Sequence, residues 1–321
     1  MQSEEPLRLG VIGLGAIGSE MLAAAAVTPD VTVVRAFDPD PAAVDRARAA
    51  HPGITFTADV GEVMEDVDAV YLATPPAFHA EAAIAAMQAG KAVFCEKPLA
   101  VDLAEGRRMV EASQGVATAV NFSLADRDAV LAVERSLRAG EVGEVRGVDI
   151  RLVFPQWPRD FQANAAWVAG RAQGGFVREV LSHFVYLTDR LVGPLSPVDV
   201  SVDYPADPDA SEVAARGFLR AGDVRVHVSA FAGVAAPELY EWVLWGTRRS
   251  YLLRNWGELL VSDGGEWAPV PLTGPRGSEA TRLARFAEAV RGGQPGHLAD
   301  FATALRVQEV VEAFHGARVA G

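Results

Sequence analysis

The chain has 321 residues, half of them hydrophobic and 22% charged, an ordinary globular composition that argues against a mainly disordered protein. Its 42 acidic residues outweigh 29 basic ones for a formal charge of -13, with no run of Lys or Arg, so nucleic acid and anionic membrane are poor partners. No apolar run approaches a membrane span, the lone Cys95 cannot form an intramolecular disulfide, and Met1 to Pro6 is acidic, unlike a secretory signal. A cytoplasmic protein of two domains is expected; a single α/β barrel is the alternative on length alone.

Leu7 to Ile12 is a short apolar run, followed by Gly13-Leu14-Gly15-Ala16-Ile17-Gly18 and the Ala-rich segment Ser19 to Val27. This pattern predicts strand, glycine turn and helix. Gly13 permits the tight turn, Gly15 lets backbone approach a pyrophosphate, and Gly18 lets the helix pack close to the strand. A second strand, Val31 to Phe37, ends in Asp38, about 20 residues past the last glycine, where a carboxylate can accept hydrogen bonds from an adenosine ribose. No Arg immediately follows to receive a 2′-phosphate, so NAD is favoured, with NADP as the alternative cofactor. Asp38 can equally open an Asp-Pro turn with Asp40 and Pro41, and both roles are compatible.

Strand and helix then alternate. Helix 41–50, strand 54–56, helix 60–64, strand 69–73, helix 77–89, strand 92–95, helix 103–113 and strand 116–121 predict a parallel, doubly wound sheet. Ligands in such sheets bind at the strands' carboxyl ends. Thr74-Pro75 closes one strand at that edge, His79 follows, and Ala92 to Cys95 stops abruptly at Glu96-Lys97-Pro98. Lys97 therefore stands at the mouth of a site. A lone histidine in a first helical turn, such as His79, is ordinarily a surface residue.

The Gly13 to Gly18 fingerprint, Thr74-Pro75 with His79, and Glu96-Lys97-Pro98 together resemble the glucose-fructose oxidoreductase, inositol dehydrogenase and rhizopine catabolism protein family, Gfo/Idh/MocA. The resemblance implies hydride transfer between NAD(P) and sugars or cyclitols, with Lys97 beside the nicotinamide as a catalytic residue and the Lys97-Pro98 bond cis. Leu14, Ala16, Ile17, Thr74, Pro75, His79 and Glu96 join the three glycines and Asp38 as candidate cofactor contacts.

Beyond Asn121 the pattern changes. A helix over 129–138 ends at Gly140 and leads into a long strand over 145–154. Strands follow at 197–204, 212–220, 224–231, 240–246, 249–254 and 259–262, predicting a mostly antiparallel sheet that resembles the family's open-faced substrate domain. The fold class is thus α/β: a Rossmann-type doubly wound domain over 1–122, then an α+β domain over 123–321 for substrate binding and oligomerisation. Helices at 278–291 and 300–318 pack on the sheet or return to the first domain. A large open sheet face makes self-association, as dimer or tetramer, an expectation.

After Gly174-Gly175, the apolar residues Val180, Phe184, Leu187 and Leu191 recur at helical spacing, and Glu179 and His183 are four apart on one face. A carboxylate and an imidazole so placed can polarise a hydroxyl or carbonyl, although alone they read as a surface pair. The resemblance assigns both to catalysis, Glu179 standing where Asp is usual. Ser123, often Arg in sugar-acting members, and Tyr186, often Asp, are further departures. Zinc would need a third ligand that no nearby His or Cys offers, so no metal is expected. Asn121, Trp157, Trp167, Arg171, Arg178 and His183 are the candidate substrate-binding residues. The expected activity is hydride exchange with a carbinol or carbonyl carbon of a sugar-, ketosugar- or cyclitol-like molecule. The alternatives are a non-catalytic dinucleotide or ligand sensor of the same fold, and a reductase of a C=N or tetrapyrrole double bond.

Overall fold

A computed structural model describes residues 5–162, 165–274, 276–293 and 296–316. The chain divides into two compact units, Met1–Ala125 with Gly277–Leu305, and Asp126–Arg276 with Arg306–Gly321.

The first unit opens with β1 (Leu7–Ile12), α1 (Ala16–Ala26), β2 (Val31–Phe37), α2 (Pro41–Ala50), β3 (Thr55–Phe56) and β4 (Ala69–Leu72). It continues with α3 (His79–Gln88), β5 (Ala92–Cys95), α4 (Leu103–Ala112) and β6 (Thr118–Val120). The strands form one parallel sheet in the order β3-β2-β1-β4-β5-β6, the doubly wound arrangement whose order reverses between β1 and β4. β4 and β5 are buried along their whole length, as strands covered by helices on both faces must be. Asp40 caps α2 by accepting the Ala42 amide at 3.0 Å, and Asp102 caps α4 through the Glu105 amide at 2.8 Å.

Two predicted helices are tightened by 3-10 turns in the structure. The helix at 60–64 is a single 3-10 turn, Gly61–Met64, begun where Asp59 accepts the Gly61 amide at 2.7 Å. Pro76–Phe78 is likewise a 3-10 turn, so α3 starts at His79 instead of residue 77.

The second unit holds α5 (Asp128–Arg138), β7 (Val145–Phe154), α6 (Ser182–Val192), β8 (Leu195–Asp203), β9 (Ala214–Ala221), β10 (Val224–Ala232), β11 (Leu239–Gly246), β12 (Ser250–Arg254), β13 (Glu258–Ser262) and β14 (Ala268–Pro269). Its eight strands lie in the order β14-β13-β12-β11-β7-β10-β9-β8, antiparallel except for the central β7-β10 pair. Alternation along β10 sends Val226, Val228 and Ala230 inward and leaves His227 outward. The chain then forms α7 (Glu279–Val290) and α8 (Phe301–Gly316). α7 packs against α1 and β2 in the first unit, and the boundary between the units falls within α8. No helix among the described residues is long and apolar enough to cross a membrane.

Candidate active site

The glycine turn fits a dinucleotide on steric grounds. Gly13 has φ +96, and a Cβ there would lie 2.7 Å from the backbone of Ala73 at the end of β4. A Cβ on Gly18 would come within 2.0 Å of the Gly13 carbonyl oxygen, whereas one on Gly15 would meet nothing within 4 Å. The turn is therefore closed on the protein side and open at Gly15, the N-cap of α1, where no side chain occupies the helix amides. Those amides and the positive helix end are suited to phosphate oxygens. Leu14, Ala16 and Ile17 complete this turn, Leu14 buried beneath it and Ile17 exposed. Nearby, the buried Thr74 hydroxyl has no hydrogen-bond partner among the described residues, and Pro75 turns the chain away from the sheet.

Asp38 makes the turn contacts foreseen for it. One carboxylate oxygen accepts the Leu14 amide at 2.6 Å and the other accepts the Asp40 amide at 2.8 Å. The carboxylate thus ties the end of β2 to the glycine turn, and its remaining lone pairs are available to a ribose.

His79 departs from the surface position ordinary for such a residue: it is fully buried. Its Nδ1 lies 2.9 Å from the Pro98 carbonyl and its Nε2 2.9 Å from the Thr74 carbonyl. Burial lowers its pKa, opposed by the hydrogen bonds to the Thr74 and Pro98 carbonyls, and the ring braces the end of β4 against the loop carrying Lys97. Both ring nitrogens face backbone, so His79 is placed to position the cofactor-side loops and not to touch a ligand.

Glu96, Lys97 and Pro98 follow β5, and the Lys97-Pro98 peptide is cis. Lys97 is half-buried at the carboxyl edge of the sheet. Behind it lies a polar network the sequence did not reveal. Glu96 accepts hydrogen bonds from the Tyr71 hydroxyl and, at 2.6 Å, from the Asn121 amide, while Asn121 Oδ1 accepts from Arg282 Nε at 2.6 Å. Burial pushes the Glu96 carboxyl above its ordinary value, opposed by the Tyr71 hydrogen bond and the Lys97 charge. Asn121 was expected to contact substrate; it is 5% exposed with its amide engaged on both sides, because β6 ends in the core. Arg282, on α7, is 1% exposed. Arg282→Met should destabilise the protein by about 3 kcal/mol, since it strands the polar groups of Asn121 in an apolar interior. Urea denaturation would read this as a lower midpoint with an unchanged slope.

In the second unit, the helix bearing Glu179 does not start as an α-helix. Val177–Leu181 is a π-turn, with the Ser182 amide reaching back to Val177 O, and α6 follows. Such turns are frequent at functional sites. Glu212 holds its start, accepting the Val177 amide at 2.7 Å. Both Glu179 and His183 are buried, at 7% and 4% exposure. Gln162 Nε2 reaches Glu179 Oε2 at 3.5 Å, and the His183 ring meets Trp256 edge-on at 5.3 Å.

The other second-unit candidates separate. Arg178 is corrected to a structural role: its guanidinium pairs with Glu312 through Nε at 2.7 Å and Nη2 at 2.8 Å, and caps the Arg171 and Gly174 carbonyls. It is 7% exposed and has no reach left for a substrate. Trp157 donates its indole N–H to Val168 O at 3.2 Å and packs on Phe154. Trp167 is half-buried in a 3-10 turn, and Arg171 lies over Tyr204, its guanidinium carbon 3.6 Å from the ring centroid.

Comparison with known proteins places this geometry. Residues 7–122 match a family model described as the oxidoreductase family with an NAD-binding Rossmann fold, Gfo/Idh/MocA. The chain is 30% identical over 250 residues to the 1,5-anhydro-D-fructose reductase of Ensifer adhaerens, a match covering 72% of each. The chain belongs to the Gfo/Idh/MocA oxidoreductase family. Another relative, the inositol 2-dehydrogenase of Rhizobium meliloti (strain 1021), is 29% identical over 198 residues, 61% of this chain, and the match spans only 57% of that relative's length. The fold also superposes on the WlbA dehydrogenase from Bordetella pertussis in complex with NADH and UDP-GlcNAcA, with TM-score 0.83, 21% identity, and coverage of 98% of this chain and 96% of that one.

Proposed function

We propose that this chain is an NAD-dependent oxidoreductase acting on a carbinol or carbonyl carbon of a small sugar-, ketosugar- or cyclitol-like molecule. The observation that carries the reading is Lys97 at the carboxyl edge of the same parallel sheet whose β1-α1 turn is open only at Gly15. Bound NAD would supply the hydride exchange. The Gly13–Gly18 turn and the α1 amides would hold its phosphates and Asp38 its ribose. Lys97 Nζ would give or take the proton of the reacting oxygen. His183 would orient that oxygen, and Glu179 would orient His183 or a substrate hydroxyl. The relatives named for inositol and 1,5-anhydro-D-fructose support a polyhydroxylated ring as substrate.

Asp38→Ala should weaken NADH by about tenfold or more and NADPH less, because the ribose acceptor is lost along with the Leu14 tether. Fluorescence titration with both cofactors reads the difference; equal losses would mean that Asp38 acts only on the turn.

Self-association as a dimer or tetramer belongs to the same reading. Phe218, stacked on His227 at 5.0 Å, and Trp245, bonded to Asp149, are exposed on one face of the second sheet. Cytoplasmic residence rests on the acidic composition and single cysteine.

The test of function is a panel of cyclitols, aldoses and ketoses followed by nicotinamide absorbance, with product analysis. Turnover of a carbinol or carbonyl carbon is expected. Cofactor binding with no turnover of any member would favour the sensor, and reduction of a C=N bond would favour the third class of activity.

A further inference from the structure

Arg159 stands where the chain leaves β7, directly after the Trp157-Pro158 peptide. Its guanidinium carbon lies 4.6 Å from the Phe161 ring centroid and 5.4 Å from that of Trp157, so two aromatic rings hold the plane of the group. Nε donates to Gln162 Oε1 and Nη1 to the Tyr240 hydroxyl, both at 3.0 Å. Both partners are neutral groups, and burial, followed by a hydrogen bond to Glu238, pushes the Tyr240 hydroxyl up to about 12.

Among the described residues, Arg159 makes no ion pair with a carboxylate. That separates it from Arg151, Arg178, Arg190, Arg216 and Arg249 of the same unit, each of which has one. A guanidinium fixed in orientation and paired directly with no carboxylate, the nearest being Glu238 beyond the Tyr240 hydroxyl, is a preformed receptor for a planar pair of anionic oxygens. Its surroundings indicate what that anion belongs to. Gln162, which Arg159 grips, reaches Glu179, and Tyr240 packs at 5.2 Å on Trp256, which in turn meets His183.

We infer that Arg159 reads a carboxylate or phosphoryl group on the substrate, making the substrate an acidic sugar or cyclitol derivative and not a neutral polyol. The inference rests on the reading of Glu179 and His183 as the residues that handle the substrate's reacting oxygen. Trp157 and Phe161 hold the guanidinium plane, and Gln162 and Tyr240 set its rotation, so little side-chain entropy is lost on binding.

The experiment compares glucose, glucuronate and glucose 6-phosphate as turnover substrates, and as ligands that raise the melting temperature of the NADH-loaded protein. The wild type, Arg159→Met and Arg159→Lys are each measured. A lower KM and a larger thermal shift are expected for one acidic member than for glucose; which one it is distinguishes carboxylate from phosphoryl. Arg159→Met should raise the KM for that member about 10- to 100-fold with little change in kcat, and should leave glucose unaffected. Arg159→Lys, which keeps the charge but loses the fork, should recover part of the effect.

Equal KM and equal thermal shift for glucose and both acidic members would overturn the inference. So would an Arg159→Met that weakens all three alike, the behaviour of a residue that only staples its loop. If no member is turned over, the oxidoreductase reading is in question while the thermal shift still decides Arg159. A shift with an acidic member that Arg159→Met abolishes supports the anion site; no shift with either overturns it.

Discussion

Lys97→Ala is expected to lower turnover by about two to four orders of magnitude while NADH binding survives, the range for removing a positioned general acid or base. The structure explains why the two effects should separate. The glycine turn, Asp38 and the α1 amides belong to β1, β2 and α1, whereas Lys97 follows β5 and is fixed by its own support. That support is the buried set of Tyr71, Glu96, Asn121 and Arg282 on one side, and the His79 bridge from Thr74 to Pro98 on the other. None of these contacts uses the Lys97 side chain as its donor or acceptor, so the alanine variant should stay folded. Steady-state kinetics beside a fluorescence titration of NADH would read both effects. Activity left intact would remove Lys97 from the chemistry, and lost binding would make it a cofactor residue.

The second large effect is expected at the turn itself. Gly18→Ala would place a methyl group 2.0 Å from the Gly13 carbonyl oxygen, a contact that only movement of the backbone can relieve. It should destabilise the protein by about 3 kcal/mol and reduce dinucleotide affinity by at least about 100-fold, because opening the turn displaces the α1 amides. Gly15→Ala is the informative partner. Its Cβ would meet no protein atom within 4 Å and its backbone φ of -65 suits any residue, so the melting temperature should not change. Dinucleotide affinity should nevertheless fall, since the methyl group would occupy the space open to the pyrophosphate. Equal affinity in Gly15→Ala and wild type would show that the phosphates do not approach there.

The first unit was legible because its signals are local. Gly13, Gly15 and Gly18 lie within six residues of one another, and the abrupt end of β5 at Lys97 needs no distant partner to be noticed. What escaped was set by tertiary contacts. Asn121 resembled a ligand contact until Arg282, 161 residues later, took its Oδ1, and Arg178 likewise until Glu312, 134 residues on, took its guanidinium. His79 looked exposed in a first helical turn because sequence does not show two carbonyls converging on a ring. Spacing alone could not distinguish the π-turn at Val177–Leu181 from α-helix, since the apolar stripe from Val180 to Leu191 fits either start. Trp256, with φ +66 in the turn before β13, gave no signal of its place against His183. The turn role of Asp38 was legible because its partners, the Leu14 and Asp40 amides, belong to the two local motifs that flank it. The hairpin at Ala221-Gly222-Asp223 is another local feature that sequence conveyed, with Val224 paired to Ala221.

The most direct test of hydride transfer uses NADH carrying deuterium at the transferable position of the nicotinamide ring, incubated with the protein and the carbonyl form of a substrate found in the panel. Mass spectrometry of the product should locate one deuterium on the newly formed carbinol carbon in the wild type, with label transfer slowed by two to four orders of magnitude, or about that, in Lys97→Ala. A reduced product without deuterium, or bound NADH that never gives up its label to any carbonyl compound, would contradict the account.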